Sequence, residues 1–137
     1  MKYMCLGYYD KSKFDALSES ERNAMFDACF EYDEHLRANG HSPTRGEALL
    51  PKETALTLSW KDGKVATTDG PYAETKEQLG GLGVLEARDM NQAVQLMAQH
   101  PSLKYGTLWE IRPIGDMSEI MKASEERRQA AARSGTK

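Results

Sequence analysis

Two apolar runs, each followed by a capped amphipathic helix, constrain this chain more than any other feature. Tyr3 to Tyr8 is apolar almost throughout, as expected of a central strand covered on both faces. After a polar loop through Asp10, Lys11 and Ser12, Ser18 stands where a helix N-cap belongs and Glu21 follows three residues later. That is a capping box, and Glu19 adds an acid in the first turn, where the helix dipole favours one. Met25, Ala28, Cys29, Tyr32 and Leu36 recur at spacings of three and four, marking a buried stripe, and Gly40 after Asn39 stops the helix. Phe26 and Phe30 fall on a flank beside that stripe, so the helix is expected to be covered on two sides or met there by a second subunit. A second strand and helix follow downstream, without any repeat of sequence. Leu82 to Ala87 reads as a strand, Asp89 caps a second helix with Gln92 in the capping-box position, and Pro101 ends it. Its inward face is Ala93, Leu96, Met97 and His100.

Between the two units, His41 to Leu50 reads as a strand ending at Pro51. Thr54 to Trp60 alternates, with Leu56, Leu58 and Trp60 on one face, and Asp62-Gly63 is a two-residue hairpin signal returning through Lys64 to Thr68. Thr107 to Arg112 is the last strand. This order predicts an α+β protein, a ferredoxin-like split βαβ sandwich with an inserted β-hairpin and both helices on one face of a mainly antiparallel sheet. The other face then needs cover, because Leu56, Leu58, Val84 and Leu108 or Trp109 cannot all point at two helices. A homodimer stacking two sheets would provide it. Beyond Gly115 the composition changes: a short helix is expected from Ser118, then a flexible charged tail over Glu125–Lys137, with a partner-binding arm as the sharper reading.

At 137 residues the chain fits one domain, and a net charge of −3 argues against nucleic acid as the main partner. No apolar run approaches the roughly 20 residues that span a bilayer. Met1 to Leu6 reads as a strand rather than a signal peptide, and Cys5 and Cys29 read as small buried hydrophobes, so a reducing cytoplasm is expected.

Asp69-Gly70-Pro71-Tyr72-Ala73-Glu74-Thr75-Lys76-Glu77-Gln78-Leu79-Gly80-Gly81 is too long and too charged for a plain turn between strands. It opens on a turn signal, offers Glu74, Lys76 and Glu77, and closes on a glycine pair that admits close backbone approach. Its wording, Tyr72 standing where Phe is usual, resembles the signature of the DGPF branch of the YCII-related proteins. Gly46-Glu47-Ala48-Leu49-Leu50-Pro51, Glu110-Ile111-Arg112-Pro113 and the opening Met1-Lys2-Tyr3-Met4 are similar to other parts of that family, so the resemblance covers about residues 1–114. It implies a ferredoxin-like domain over 1–114 assembled as a dimeric α/β barrel, with 115–137 outside it. It also implies frequent gene neighbourhood with extracytoplasmic-function sigma factors. In more distant members a His on the first helix and an Asp after the second are thought to form an acid/base dyad. His35 resembles that His by position, while His100 stands where the Asp is expected, so the dyad does not carry over whole.

Read from the residues, His35 borders the buried stripe, where an imidazole suits a hydrogen bond to a carbonyl or Glu31, or else proton transfer. His100, at a helix C-terminus, suits capping or packing, and His41 an exposed turn. Asp69 and Glu47 are the carboxylates placed to orient His35, although Asp69 also suits bonding the turn it begins. Arg45, Glu74 and Lys76 are the substrate-binding candidates, or an ion-pair network bracing the insertion. Glu110 and Arg112 read as a structural pair. No phosphate-cradling loop, nucleophile elbow or zinc-spaced cysteine set is present, so neither cofactor nor metal is indicated. Two functions follow. One is a small enzyme, with the 69–81 insertion as a lid, performing isomerisation, elimination or hydrolysis by acid/base proton transfer without a cofactor. The other is a non-catalytic module that senses a small ligand or contacts a regulatory protein such as a sigma factor.

Overall fold

The computed structural model describes residues 1–135. Strand β1 (Lys2–Asp10) runs into a short helix α1 (Lys11–Asp15) and then the long helix α2 (Glu19–Ala38). The capping box at Ser18 is present in both directions: the Glu21 N–H donates to the Ser18 hydroxyl and the Ser18 N–H to the Glu21 carboxylate. A two-residue strand β2 (Glu47–Ala48) follows, then a 3-10 turn at Lys52–Thr54 and the hairpin of β3 (Leu56–Lys61) and β4 (Lys64–Asp69). Strand β5 (Glu77–Glu86), helix α3 (Met90–Met97), a 3-10 turn at Pro101–Tyr105, β6 (Leu108–Pro113) and α4 (Ser118–Arg133) complete the chain.

The main sheet is antiparallel in the order β2-β5-β1-β6, which is the split βαβ topology of a ferredoxin-like fold. Helices α2 and α3 cover one face. There Tyr3, Cys5, Leu36, Leu85, Ala87, Ala93 and Met97 form the buried core, with Tyr32, Leu96, Trp109 and Ile111 packed against it. Full burial of a side chain the size of Leu36, Leu85 or Met97 stabilises the fold by about 1.5–3 kcal/mol. Met4, Leu6, Tyr8, Leu82, Val84 and Leu108 alternate onto the opposite face, where Leu108 is exposed. Trp109, left open by the alternation argument, faces the helices. The hairpin is its own two-stranded sheet, turned by Asp62 (φ 53°) and Gly63 (φ 78°), and Leu56, Leu58, Trp60 and Val65 are exposed.

Three boundaries differ from expectation. The strand expected over 41–50 shrinks to Glu47–Ala48: Pro43 lacks a donor N–H, and the chain touches the sheet first at His41, whose carbonyl accepts from the Glu86 N–H. Strand β5 begins at Glu77, not Leu82, because β1 extends to Asp10 and a register shift after Gly7 lets Tyr8, Tyr9 and Asp10 pair with Leu79, Gln78 and Glu77. The insertion is thus a loop only over 70–76. Helix α4 runs on to Arg133; Thr136 and Lys137, the end of the expected tail, lie outside the described residues.

Candidate functional site

Small side chains make a hole in the helix-covered face. The register sets Cys5 opposite Gly83 and Gly7 opposite Gly81, so the centre of that face carries a thiol and three glycines. Trp109, opposite Gly7 on the other side, lays its ring over that glycine; a Cβ there would come within 2.8 Å of Cη2. Gly46, Gly81 and Gly83 let the 46–48 segment lie close against β5, a Cβ on Gly81 coming within 3.2 Å of the Glu47 carbonyl oxygen. What remains is a groove between α2 and the β2–β5 edge. It comprises two adjoining cavities of about 390 and about 480 Å³ that share Ala48, Gly81 and Trp109 as walls.

The smaller half is apolar, lined by Tyr9, Phe14, Met25, Phe26, Leu49 and Trp109. A ladder of rings runs from it into the larger half: Tyr9 meets Phe14 edge-on at 6.0 Å, Phe14 meets Phe26 at 6.1 Å, and Phe26 stacks at 6.2 Å on Phe30, which lines the larger half. Asp10 closes one end. Its carboxylate accepts from the Ser12 hydroxyl and N–H, and Lys76 lies 3.6 Å away. The hydroxyl bond is the largest cause holding this carboxyl below its usual range, with the backbone bond and Lys76 adding to it.

The larger half is charged, lined by Asp33, Glu34, Arg37, Arg45, Glu47 and His100. His100 is buried; its Nε2 lies 3.3 Å from Asp33 Oδ1, and its Nδ1 lies 2.8 Å from the Ser102 hydroxyl. The Trp109 indole N–H donates to the same hydroxyl at 2.9 Å. Tyr32 packs edge-on to the imidazole at 5.7 Å, and its hydroxyl donates to the Leu96 carbonyl, tying α2 to α3. Burial raises the Tyr32 pKa, and the Asp33 carboxylate raises it further. Asp33 keeps 43 % of its side chain exposed, against 7 % for His100, so the carboxylate is the accessible member. Burial pushes the Cys29 thiol up to about 11, Asp33 contributing, and burial alone does the same to Cys5. Both remain thiols at neutral pH and are poor nucleophiles.

Of the residues singled out in the sequence, Arg45 and Glu47 line the charged half beside Asp33 and His100. Neither guanidinium, Arg37 nor Arg45, has a side-chain partner among the described residues. His35 is exposed; the Asn39 amide lies 3.3 Å from its Nδ1, and it lines neither half of the groove. Asp69 is exposed at the end of β4, opposite Leu56, and Glu74 pairs with Lys52 at 3.3 Å. The insertion is therefore anchored at the Asp10 end of β1, whereas the C-terminal end of α2 meets the sheet at its Lys2 end, through His41 and Glu86. Nine strand residues separate those ends by roughly 26 Å, so the loop does not reach His35 within the chain. His41 is half-buried, donating from Nδ1 to the Glu86 carbonyl at 2.9 Å. Glu110 and Arg112 pair at 3.8 Å.

The residue that sequence reasoning missed is Asp33. Its signal was present in the flank that Phe26 and Phe30 began, for Phe26, Phe30, Asp33 and Arg37 follow one another at spacings of four, three and four. That second stripe lines the groove. Among the described residues no three His, Cys, Asp or Glu side chains are grouped to hold a metal, and no helix is long and apolar enough to cross a membrane.

The chain is 30 % identical over 116 residues to an uncharacterised protein of Rhizobium meliloti (strain 1021), covering 83 % of this chain and 92 % of that one. Among solved structures it is similar to 5-chloro-2-hydroxyhydroquinone dehydrochlorinase from Burkholderia phenoliruptrix AC1100, in complex with 2,5-dihydroxybenzoquinone. That match has 18 % identity and a TM-score of 0.45, covering 84 % of this chain and 96 % of that one. The family model of the YCII-related domain matches residues 1–118, and the chain belongs to that family.

Proposed function

We propose that this chain is an acid/base enzyme in which the Asp33–His100 pair moves a proton on a small molecule seated in the groove. The observation that carries the reading is the contact of 3.3 Å between a buried imidazole and a half-exposed carboxylate in a cavity wall. Such a pair holds a carboxylate ready to accept a proton, and positioned acid/base groups contribute about 10²–10⁴ in rate. The apolar half suits the body of the substrate, preferably a ring, because its aromatic walls gain most from a flat apolar partner. Asp10, its one charge, is already engaged with Ser12 and Lys76. In the charged half, Arg45 and Arg37 supply donors for an oxygen on which charge builds as the proton leaves. Isomerisation and elimination both fit, since each begins with removal of a proton beside an electron-withdrawing group.

The test is exchange of carbon-bound protons for deuterium in D₂O, followed by NMR with bicyclic aromatic ketones such as 2-tetralone. Wild-type protein should accelerate exchange, and Asp33→Asn should lose about 10²-fold or more of that acceleration. Equal rates with Asp33→Asn, or no acceleration across the panel, would refute the reading.

A second copy of the chain belongs to this proposal. The open sheet face and the hairpin face with Leu56, Leu58, Trp60 and Val65 leave apolar surface uncovered in one chain. Two sheets stacked face to face would cover it.

A further inference from the structure

We infer that Ser102 and Trp109 are positioning residues that keep the His100 proton on Nε2, so that Asp33 and not the imidazole exchanges the proton with substrate. The inference rests on the acid/base reading for its catalytic half; its structural half stands on donor counting alone. An indole N–H can only donate, and that of Trp109 is directed at Ser102 Oγ, 2.9 Å away. The hydroxyl keeps its own proton to donate, and His100 Nδ1 lies 2.8 Å away; because the oxygen has a second lone pair, the direction of that bond is set by the other donor at Nδ1. The Ser102 backbone N–H, another obligatory donor, lies 3.3 Å from the same nitrogen. Two donors converge on Nδ1, which therefore accepts and carries no proton. The neutral ring holds its proton on Nε2, facing Asp33 Oδ1 at 3.3 Å.

This arrangement leaves His100 no vacant acceptor toward the groove. Nδ1 is occupied by Ser102, and Nε2 bears hydrogen. Asp33 is both accessible and oriented, and its free lone pairs accept the substrate proton. In that step the substrate C–H bond breaks and an O–H bond forms on Asp33. The electron pair of the broken bond stays on the substrate as an enolate, within the half of the groove that holds Arg45. The same proton then returns from Asp33 to a different atom, completing an isomerisation, or leaves with a departing group. In this scheme the imidazole donates from Nε2 throughout and serves to orient the carboxylate. Gly7 belongs to the same device, because only a residue without a side chain lets the indole lie where its N–H meets Ser102.

The decisive measurement is the tautomer of His100, read by long-range ¹H–¹⁵N correlation on protein labelled at histidine, with His100→Gln identifying its signals. The expected wild-type pattern is a neutral ring protonated at Nε2. Ser102→Ala should shift the ring toward the other tautomer or a mixture, Ser102→Thr should restore it, and Trp109→Phe should weaken it by freeing the hydroxyl to rotate. In the exchange assay Ser102→Ala should lower kcat with KM little changed, and Ser102→Thr should recover it. A wild-type ring protonated on Nδ1, or a tautomer unmoved by Ser102→Ala, would overturn the inference, and the wild-type spectrum decides even where a variant fails to fold. An Nε2–H ring in a protein that exchanges no substrate proton would instead refute the catalytic reading, and with it the role given to Asp33.

Discussion

Gly7→Ala is the sharpest perturbation of the groove, because one methyl group meets one ring. A Cβ on Gly7 would lie 2.8 Å from Cη2 and 2.9 Å from Cζ3 of Trp109, so the indole must retreat at least about 0.6 Å to reach ordinary contact. The indole is held by its 2.9 Å bond to Ser102, which a retreat of that size carries to the limit of hydrogen-bonding distance. Overpacking of this kind costs about 1–3 kcal/mol, and the lost bond about 1 kcal/mol more. Replacing Gly in a strand with Ala also stabilises by about 0.4–1 kcal/mol through the unfolded chain, so the net loss is about 1–3 kcal/mol. Urea unfolding followed by far-ultraviolet circular dichroism reads this directly. With a slope near 2 kcal/mol per molar, the midpoint should fall by about 0.5–1.5 M at constant slope. The control is the same substitution in a Trp109→Phe background, where the smaller ring leaves room. There Gly7→Ala should be neutral or stabilising, giving a coupling energy of about 1–3 kcal/mol. Equal losses in both backgrounds, or no loss in the first, would refute the claim that Gly7 exists to seat the indole.

Cys5 and Cys29, both pushed up to about 11, should be about one part in a thousand thiolate at pH 8, so native protein should react with iodoacetamide far more slowly than urea-unfolded protein. Comparable rates would contradict the burial of both thiols. The sign of the linkage follows: a raised folded pKa favours the folded state below the unfolded value of 9.0, and stability should fall as pH climbs from 9 towards 11. For the second copy, light scattering should give a dimer for wild type and a monomer for Leu58→Glu with Trp60→Glu. Stability within one chain should change little, because both side chains are exposed there. A monomeric wild type would remove the dimer.

Local chemistry was legible in the sequence, and absence was not. The Ser18–Glu21 box, the Asp62-Gly63 turn, the Asp89 cap and the alternation of β3 each depend on residues a few positions apart, and each stands as read. The groove depends on side chains that are missing at Gly7, Gly81 and Gly83, which come together only once β1 and β5 take their register. Gly80-Gly81 was correctly read as a place of close approach, yet Gly80 serves to seat the Tyr9 ring, a Cβ there falling 2.6 Å from it. Arg45 and Glu47, named in the sequence as a binding candidate and a carboxylate, come to line the charged half of the groove through the pairing of Glu47 with Leu82. His35 drew attention as a histidine on the first helix, but it lies two residues past Asp33, off both stripes, and is exposed. Asp33 was overlooked because a carboxylate between Tyr32 and Glu34 looks like ordinary helix surface until His100 arrives from 67 residues further along the chain.

Among the described residues the strands β3 and β4 pair only with each other, and the residues flanking them close the base of the hairpin, the Gly70 N–H donating to the Ala55 carbonyl and the Thr57 hydroxyl to the Gly70 carbonyl. Residues removed or added as cross-strand couples near Asp62 would change how far this finger projects while leaving the Trp109 wall untouched.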